Sequence, residues 1–204
     1  MSRELLPRRA AEIFGIALVA EELRRIDEFV ALLARWSARI NLVSARSADE
    51  ITDRHVLDSL ALTKLARGAK VAADFGSGAG FPGVLMAITA PETMVHLVEA
   101  RERRVAFLRE VARTIGLDNI RVWLSRAETW QPPERLELVA VRALRSDVAA
   151  ALARPVLTER GDLALMRKQN AGGVHAPGFE ELGRLRYSLP RGERHEVLVL
   201  RRRT

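Results

Sequence analysis

The hydrophobic positions of this chain follow two different periods, and the change between them divides the chain into two parts. Between Glu22 and Ile40 apolar residues recur every three or four positions, which is typical of an amphipathic helix. A second helix is predicted from Ser47 to Leu65, because Ser47 and Glu50 form a capping box and Gly68 ends the pattern. The first seventy residues are therefore predicted to be helical.

From Lys70 onward short apolar runs alternate with helical patterns, which is typical of βαβ units. Helices are predicted at residues 82–89, 101–115 and 146–157, and a flexible loop at 169–178. A five-residue connection joins the last two strands, which predicts an antiparallel hairpin. Seven strands are predicted, at residues 71–75, 94–98, 120–124, 136–141, 162–166, 185–189 and 196–200.

We therefore expect an α/β fold with a mainly parallel seven-stranded sheet. Residues 1–69 would form an N-terminal helical extension, and residues 70–204 a Rossmann-like core, in one compact unit.

Composition narrows the possible functions. The 204 residues are 48% hydrophobic and include no cysteine, which excludes disulfides, thiolate metal sites and cysteine nucleophiles. The four histidines lack zinc-ligand spacing, so no metal site is expected. No apolar stretch suits a membrane span or a signal peptide, and a cytoplasmic protein is expected. The net charge of +7 favours a polyanionic partner, although a bias towards arginine is an alternative, since all but three of the basic residues are arginine.

The first predicted strand runs into a glycine-rich turn, DFGSGAGFPG at residues 74–83. Small residues at a strand end let the backbone approach a nucleotide, but Gly78, Gly80 and Gly83 also satisfy the dinucleotide fingerprint. Glu99 ends the second strand, where a carboxylate can bind ribose hydroxyls of either cofactor. Glu128, after the third strand, suits an adenine amine, and no second fingerprint follows, which favours S-adenosylmethionine.

These segments occur in the order of a known family. Asn41-Leu42, RHVLDSL at residues 54–60, DFGSGAGFPG, RVAFLREVARTIGLDNI, Arg126-Ala127-Glu128 and Val141-Arg142-Ala143 follow one another over nearly the whole chain. The chain closely resembles the RsmG (GidB) family of bacterial methyltransferases, which act on guanine N7 in 16S ribosomal RNA. The resemblance implies a class I S-adenosylmethionine-dependent methyltransferase fold, with 16S rRNA in the small subunit as partner and a monomeric enzyme.

The resemblance also implies site residues. Gly78 belongs to the same turn as the matching family positions, and Glu99 takes the ribose-binding place. The fifth strand departs from the family, because Arg167-Lys168 stands where Lys-Gly is usual, which changes the geometry of a substrate contact. The positions that match the family's cofactor-binding residues are Gly76, Phe81, Ala127, Glu128 and Arg142.

The sequence is consistent with methylation of a ring nitrogen of the base. Guanine N7 has a free lone pair, so its methylation removes no proton and needs no general base. The fourth strand ends in Val141-Arg142-Ala143 instead of the Asn/Asp-Pro-Pro-aromatic motif of enzymes that methylate exocyclic amines. Arg142 is expected to bind the methionine carboxylate, a phosphate or the base, with a surface arginine as the alternative. Arg167 is expected to face the methionine tail or the RNA.

His55 and Asp58 share a helix face, and two interpretations of them stay open. They shape the target-base pocket, or they form a packing pair of histidine and carboxylate. His96, His175 and His195 are expected to be structural and outside any cluster, and Trp36 and Trp123 to belong to the core. The arginines at 201–203 are expected to form a solvated tail.

Three rival functions remain. They are methylation of another RNA, a non-catalytic RNA-binding or assembly module with this fold, and an NAD-dependent oxidoreductase, for which a Tyr-x-x-x-Lys pair is missing.

Overall fold

The structure, a computed structural model, describes residues 5–45, 47–142 and 144–203. Helices come first. From residue 71 strands alternate with helices, except that β4 follows β3 without a helix between them, and three strands end the chain. The helices are α1 (Leu5–Phe14), α2 (Ala20–Ile40), α3 (Ala48–Ile51), a π-helical turn (Thr52–Val56), α4 (Leu57–Leu60), α5 (Thr63–Arg67), α6 (Gly83–Thr89), α7 (Glu102–Ile115) and α8 (Ser146–Ala153). The strands are β1 (Val71–Phe75), β2 (Met94–Glu99), β3 (Ile120–Leu124), β4 (Leu136–Arg142), β5 (Leu157–Lys168), β6 (Phe179–Ser188) and β7 (Arg194–Arg202).

All seven strands form one sheet in the order β3-β2-β1-β4-β5-β7-β6. The first five are parallel, and β7 is antiparallel to both β5 and β6. The predicted fold class and the predicted C-terminal hairpin are thus confirmed. Chain order reverses between β1 and β4, and open α/β sheets bind ligands beyond the carboxyl ends of strands at such a switch point.

Each face of the sheet has its own hydrophobic core. One cluster combines α1, α2 and the short helices with α6 and α7, and Phe29 of α2 packs edge-on against Phe81 at 5.1 Å between ring centroids. The other cluster lies under α8 and includes Phe75, Leu165 and Leu198. The N-terminal helices share a core with the sheet, and the turn holding His55 lies close to the carboxyl ends of β1 and β4.

The helix predicted from Ser47 to Leu65 is wrong as a continuous element. Ser47 Oγ does cap its start, accepting a hydrogen bond from the Glu50 N–H at 3.1 Å. One turn later the backbone widens, and the Leu57 N–H bonds the Thr52 carbonyl in the π pattern. Such turns insert a residue and are frequent at functional sites, and this one contains His55.

Three predicted boundaries in the C-terminal half are also wrong. The helix predicted to residue 157 ends at Ala153, because Pro155 cannot continue it, and β5 then begins at Leu157 instead of residue 162. Strand β6 begins at Phe179 instead of residue 185. Half of residues 179–184 are charged because β6 is an edge strand with solvent beside it, and this conceals the alternation typical of a strand.

The arginines expected to form a tail belong partly to the sheet. Strand β7 extends to Arg202, and Arg201 makes two hydrogen bonds to the Asp162 carboxylate, at 2.8 and 2.9 Å. That expectation is therefore wrong for Arg201 and Arg202. Trp36 packs against Phe107 as part of the core, as expected.

Candidate active site

The glycine-rich turn is fixed by close packing directly after β1. The Gly83 N–H donates to Asp74 Oδ2 at 2.9 Å, which ties the start of α6 to the strand. A Cβ at Gly83 would lie 2.3 Å from Leu97 Cδ2, so only glycine fits. Burial raises the pKa of the Asp74 carboxyl to about 7. The turn is thus held firmly between β1 and α6.

Glu99 holds this turn from the neighbouring strand. Its Oε2 accepts the Gly78 N–H at 2.9 Å, and its Oε1 accepts the Arg101 N–H at the same distance. Each carboxylate oxygen retains a lone pair for a hydroxyl. Gly76 has φ +75°, and a Cβ added there would meet no atom within 4 Å, so a ligand can approach the backbone. The chemistry of these groups is compatible with the ribose part of S-adenosylmethionine.

Arg142 ends β4 and binds two residues of the N-terminal helices. Its Nη2 lies 3.0 Å from His55 Nδ1 and 3.1 Å from Asp58 Oδ2. The two residues predicted to share a helix face therefore meet on one guanidinium. Only 24% of the Arg142 side chain is exposed, so it is not a surface arginine.

His55 links Arg142 to the glycine-rich turn. Its ring stacks on Phe81 with centroids 5.2 Å apart. Burial, followed by the charge of Arg142, lowers the pKa of His55 to about 4. A guanidinium can only donate, so His55 Nδ1 accepts and the proton of the neutral ring lies on Nε2.

Asp58 is the centre of a larger buried network. Tyr187 donates its hydroxyl to Oδ1 at 2.7 Å, and His195 Nδ1 lies 2.8 Å from the same oxygen. Burial would raise the pKa of the Asp58 carboxyl, but the His195 hydrogen bond, the Arg142 charge and the Tyr187 hydroxyl together hold it below its usual value. Asp58 therefore stays ionised and fixes Arg142.

A cavity of about 820 Å³ opens beside this network. Arg142 and Asp58 line it, and so do Arg167 and Lys168 at the end of β5. The segment after β5 also lines it, and there the Gly172 carbonyl accepts a hydrogen bond from Arg167 Nη2. The cavity is large enough for a nucleotide and is lined by several cations.

The structure brings together some predicted site residues and separates others. Asp58, Arg142 and Arg167 line the cavity, and His55 contacts Arg142 from behind. Ala127 and Glu128 lie in the loop after β3, which meets Glu99 where the Ser125 N–H bonds the Glu99 carbonyl at 3.0 Å. They border a separate groove of about 590 Å³ and do not line the cavity.

Sequence reasoning missed three residues of this region. His195 was expected to lie outside any cluster, and this is wrong, because it binds Asp58. Tyr187 and Glu196 had no assigned role, yet Tyr187 also binds Asp58 and Glu196 lies 3.1 Å from Arg167. The pairing of β7 with β5 places His195 opposite Lys168, and only the register of the hairpin reveals this.

The sheet order, the glycine-rich turn and the carboxylate after β2 together define a class I methyltransferase fold. Solved structures agree at the level of the fold. A putative O-methyltransferase from Klebsiella pneumoniae matches with a TM-score of 0.64 at 13% identity, covering 98% of this chain and 96% of that one. TrmN from Thermus thermophilus matches with a TM-score of 0.55 at 23% identity, covering 72% of this chain and 48% of that one.

Sequence comparison gives the family. The model of the GidB family, described as rRNA small subunit methyltransferase G, matches residues 22–175, and the chain belongs to this family. A relative named ribosomal RNA small subunit methyltransferase G from Dichelobacter nodosus is 36% identical over 72% of this chain and 69% of its own length. One of the same name from Laribacter hongkongensis is 34% identical over 81% and 79%. Another, from Pseudomonas aeruginosa, is 36% identical over 68% and 64%.

The described residues contain neither a candidate membrane span nor a candidate metal centre. None of the helices in residues 5–45, 47–142 and 144–203 is both long and apolar enough to span a bilayer. Within the same ranges, no group of histidine, aspartate and glutamate side chains is arranged to hold a metal ion.

Proposed function

We propose that this protein transfers a methyl group from S-adenosylmethionine to N7 of a guanine in 16S ribosomal RNA, as a monomer in the cytoplasm. Membership of the GidB family supports the reaction and the substrate class. The observation that carries the proposal is Arg142, held by Asp58 and His55 at the switch point between β1 and β4, with the cavity on its open side.

The cofactor-binding part of the site is formed by residues at and after the carboxyl ends of β1, β2 and β3. The backbone at Gly76 and Gly78 and the Glu99 carboxylate would hold the ribose, and the loop with Ala127 and Glu128 would flank the adenine. When bound, S-adenosylmethionine supplies an electrophilic methyl group. The chain must then mainly place the guanine N7 lone pair in line with that group and keep water away.

The chemistry of the site suits a nucleophile that carries no proton. N7 attacks through its lone pair, so no residue has to act as a general base. Accordingly, His55 is occupied by Arg142 and Phe81, and Asp58 by Tyr187, His195 and Arg142. A guanidinium that donated to N7 would compete for the reacting lone pair. Arg142 therefore contacts guanine O6 or an anionic group instead.

The RNA surface is proposed to include the helical extension, residues 1–69, and the segment that follows β5. Arg142, Arg167 and Lys168 all line the cavity between them. An RNA backbone would meet these cations, which predicts binding that weakens as salt increases.

Labelled methyl transfer tests the proposal. Small ribosomal subunits from cells lacking this protein are incubated with labelled S-adenosylmethionine, and transfer RNA and large subunits serve as controls. Label in small subunits alone is expected. Transfer to one of the controls instead would overturn the substrate assignment, and NADH binding without S-adenosylmethionine binding would overturn the enzyme class.

A variant pair tests the role of Arg142. We expect Arg142→Met to lower the transfer rate by about a hundredfold, since misplacing a substrate by ~1 Å costs this much. Arg145→Met is the matched control, because Arg145 lines the same cavity but is 81% exposed and pairs with Asp147 at 2.6 Å. Equal activity of the two variants would contradict the role.

A further inference from the structure

A carboxylate stands on β7 where the strand pattern predicts an apolar side chain. Glu196 shares its face of the strand with Leu198 and Leu200, which both lie in the core under α8. Only 1% of Glu196 is exposed. Burying a carboxylate is unfavourable unless it is paired, so the residue needs a specific partner.

Three arginines surround this carboxylate across neighbouring strands. Arg167 of β5 lies directly opposite Glu196 in the ladder, with 3.1 Å between Nε and Oε1. Arg184 and Arg186 of β6 lie 3.3 and 3.5 Å from Oε2. The shortest distance and the most buried guanidinium both belong to Arg167, whose side chain is 13% exposed. Arg167 is therefore the nearest and most buried charge; it forms an ion pair with Glu196 without a hydrogen bond, whereas Arg184 and Arg186 donate hydrogen bonds to Oε2.

Arg167 is held from two sides where it lines the cavity. Glu196 forms an ion pair with its Nε from the sheet, and the Gly172 carbonyl accepts a hydrogen bond from its Nη2 in the segment after β5. A guanidinium has five N–H donors, so these two contacts leave donors for a ligand. The fork shape and permanent charge of arginine match a phosphate group, which can accept two of them.

We propose that Glu196 is a positioning residue that aims Arg167 at a phosphodiester group of the RNA substrate. This inference rests on the proposed function, because it assigns the RNA backbone to the β5 side of the same cavity. Arginine suits this position, since its permanent charge pairs with the buried carboxylate while its remaining N–H groups can donate to an anion. Arg184 and Arg186 extend the cationic surface along the hairpin.

The direction in which Glu196→Gln changes the RNA affinity distinguishes a positioning role of Glu196 from a simple effect of its charge. Glu196→Gln removes a negative charge, so electrostatics alone predict tighter RNA binding. Loss of positioning predicts weaker binding. Asp162→Asn is the matched control, because Asp162 pairs with Arg201 between the same two strands and does not line the cavity.

Equilibrium binding of a small-subunit rRNA transcript, without cofactor and at several salt concentrations, gives the test. We expect Glu196→Gln to weaken binding about tenfold, as for loss of a charge-assisted hydrogen bond. The slope of log affinity against log salt should fall by about 0.7, the value for one phosphate contact on a single strand. Asp162→Asn should leave the slope unchanged and bind at least as tightly as the wild type.

Two further variants keep the test decisive if Glu196→Gln folds poorly, which urea unfolding detects. Arg167→Met leaves the carboxylate intact and removes the cation itself, and the same loss of affinity and slope is expected. Adding Glu196→Gln to Arg167→Met should have no additional effect on RNA affinity, because both act through one contact.

Binding by Glu196→Gln that equals or exceeds that of Asp162→Asn would overturn the proposal. So would full retention of the salt slope in Arg167→Met. A wild-type protein that binds the RNA without methylating it would overturn the proposed function, and the comparison of Glu196→Gln with Asp162→Asn would still decide the role of Glu196.

Discussion

Replacement of Asp58 by Asn is the most informative single perturbation of the buried network. Asp58 is 1% exposed and accepts from Tyr187 at 2.7 Å and His195 at 2.8 Å, and it pairs with Arg142 at 3.1 Å. Removing one partner of a buried ion pair costs about 3 to 5 kcal/mol, since it leaves the other charge uncompensated. Arg142 retains access to water through its 24% exposed side chain, so the lower end, about 3 kcal/mol, is expected.

Thermal and urea unfolding measure this loss. For a chain of this length about 3 kcal/mol corresponds to a fall in Tm of roughly 6 to 12 °C. Tyr187→Phe is the control, because it removes one hydrogen bond and leaves the carboxylate charged, at a cost of about 1 kcal/mol. If Asp58→Asn destabilises no more than Tyr187→Phe, the carboxylate does not stabilise Arg142 by its charge, and the reasoning is refuted.

Further predictions concern pH and packing. The pKa of His55 is about 4 in the folded state, below the usual value near 6.5, so the folded state binds fewer protons than the unfolded state. The protein therefore loses stability as pH falls from about 6.5 to 4. The expected loss is about 2 kcal/mol after allowance for partial exposure. The difference between wild type and His55→Gln in urea titrations isolates this loss from Asp74, whose raised pKa has the opposite effect, and equal pH profiles would contradict it. Gly83→Ala should destabilise by about 3 kcal/mol through overpacking, whereas Gly183→Ala, with open space at its Cβ, should change stability by less than about 0.5 kcal/mol; similar effects of the two in urea unfolding would contradict the packing argument.

Local sequence patterns predict much of this fold. The period of apolar residues predicts α2, α7 and the five parallel strands, because burial against a core is a local signal. The sequence does not predict the early part of strand β6 or the π-helical turn. Solvent beside the edge strand removes the alternation of apolar residues, and a single inserted residue does not change the helical period enough to be recognised.

The contacts of the candidate site also differ in whether the sequence predicts them. The glycine-rich turn and Glu99 are contiguous with their strands, so position along the chain predicts that they meet. Asp58 and Arg142 could be named from the sequence, but their contact depends on how the N-terminal helices pack on the sheet. His195 and Glu196 depend on the register of the last hairpin, which no single segment determines.

The most direct test of the proposed function is the chemical position of the methyl group. After reaction with the wild-type protein, 16S rRNA is treated with borohydride and aniline, which cleave the chain at N7-methylguanine. The proposal predicts one new cleavage site, present with wild type and nearly lost with Arg142→Met. Incorporated label without cleavage would place the methyl group on another atom and contradict the assignment to N7.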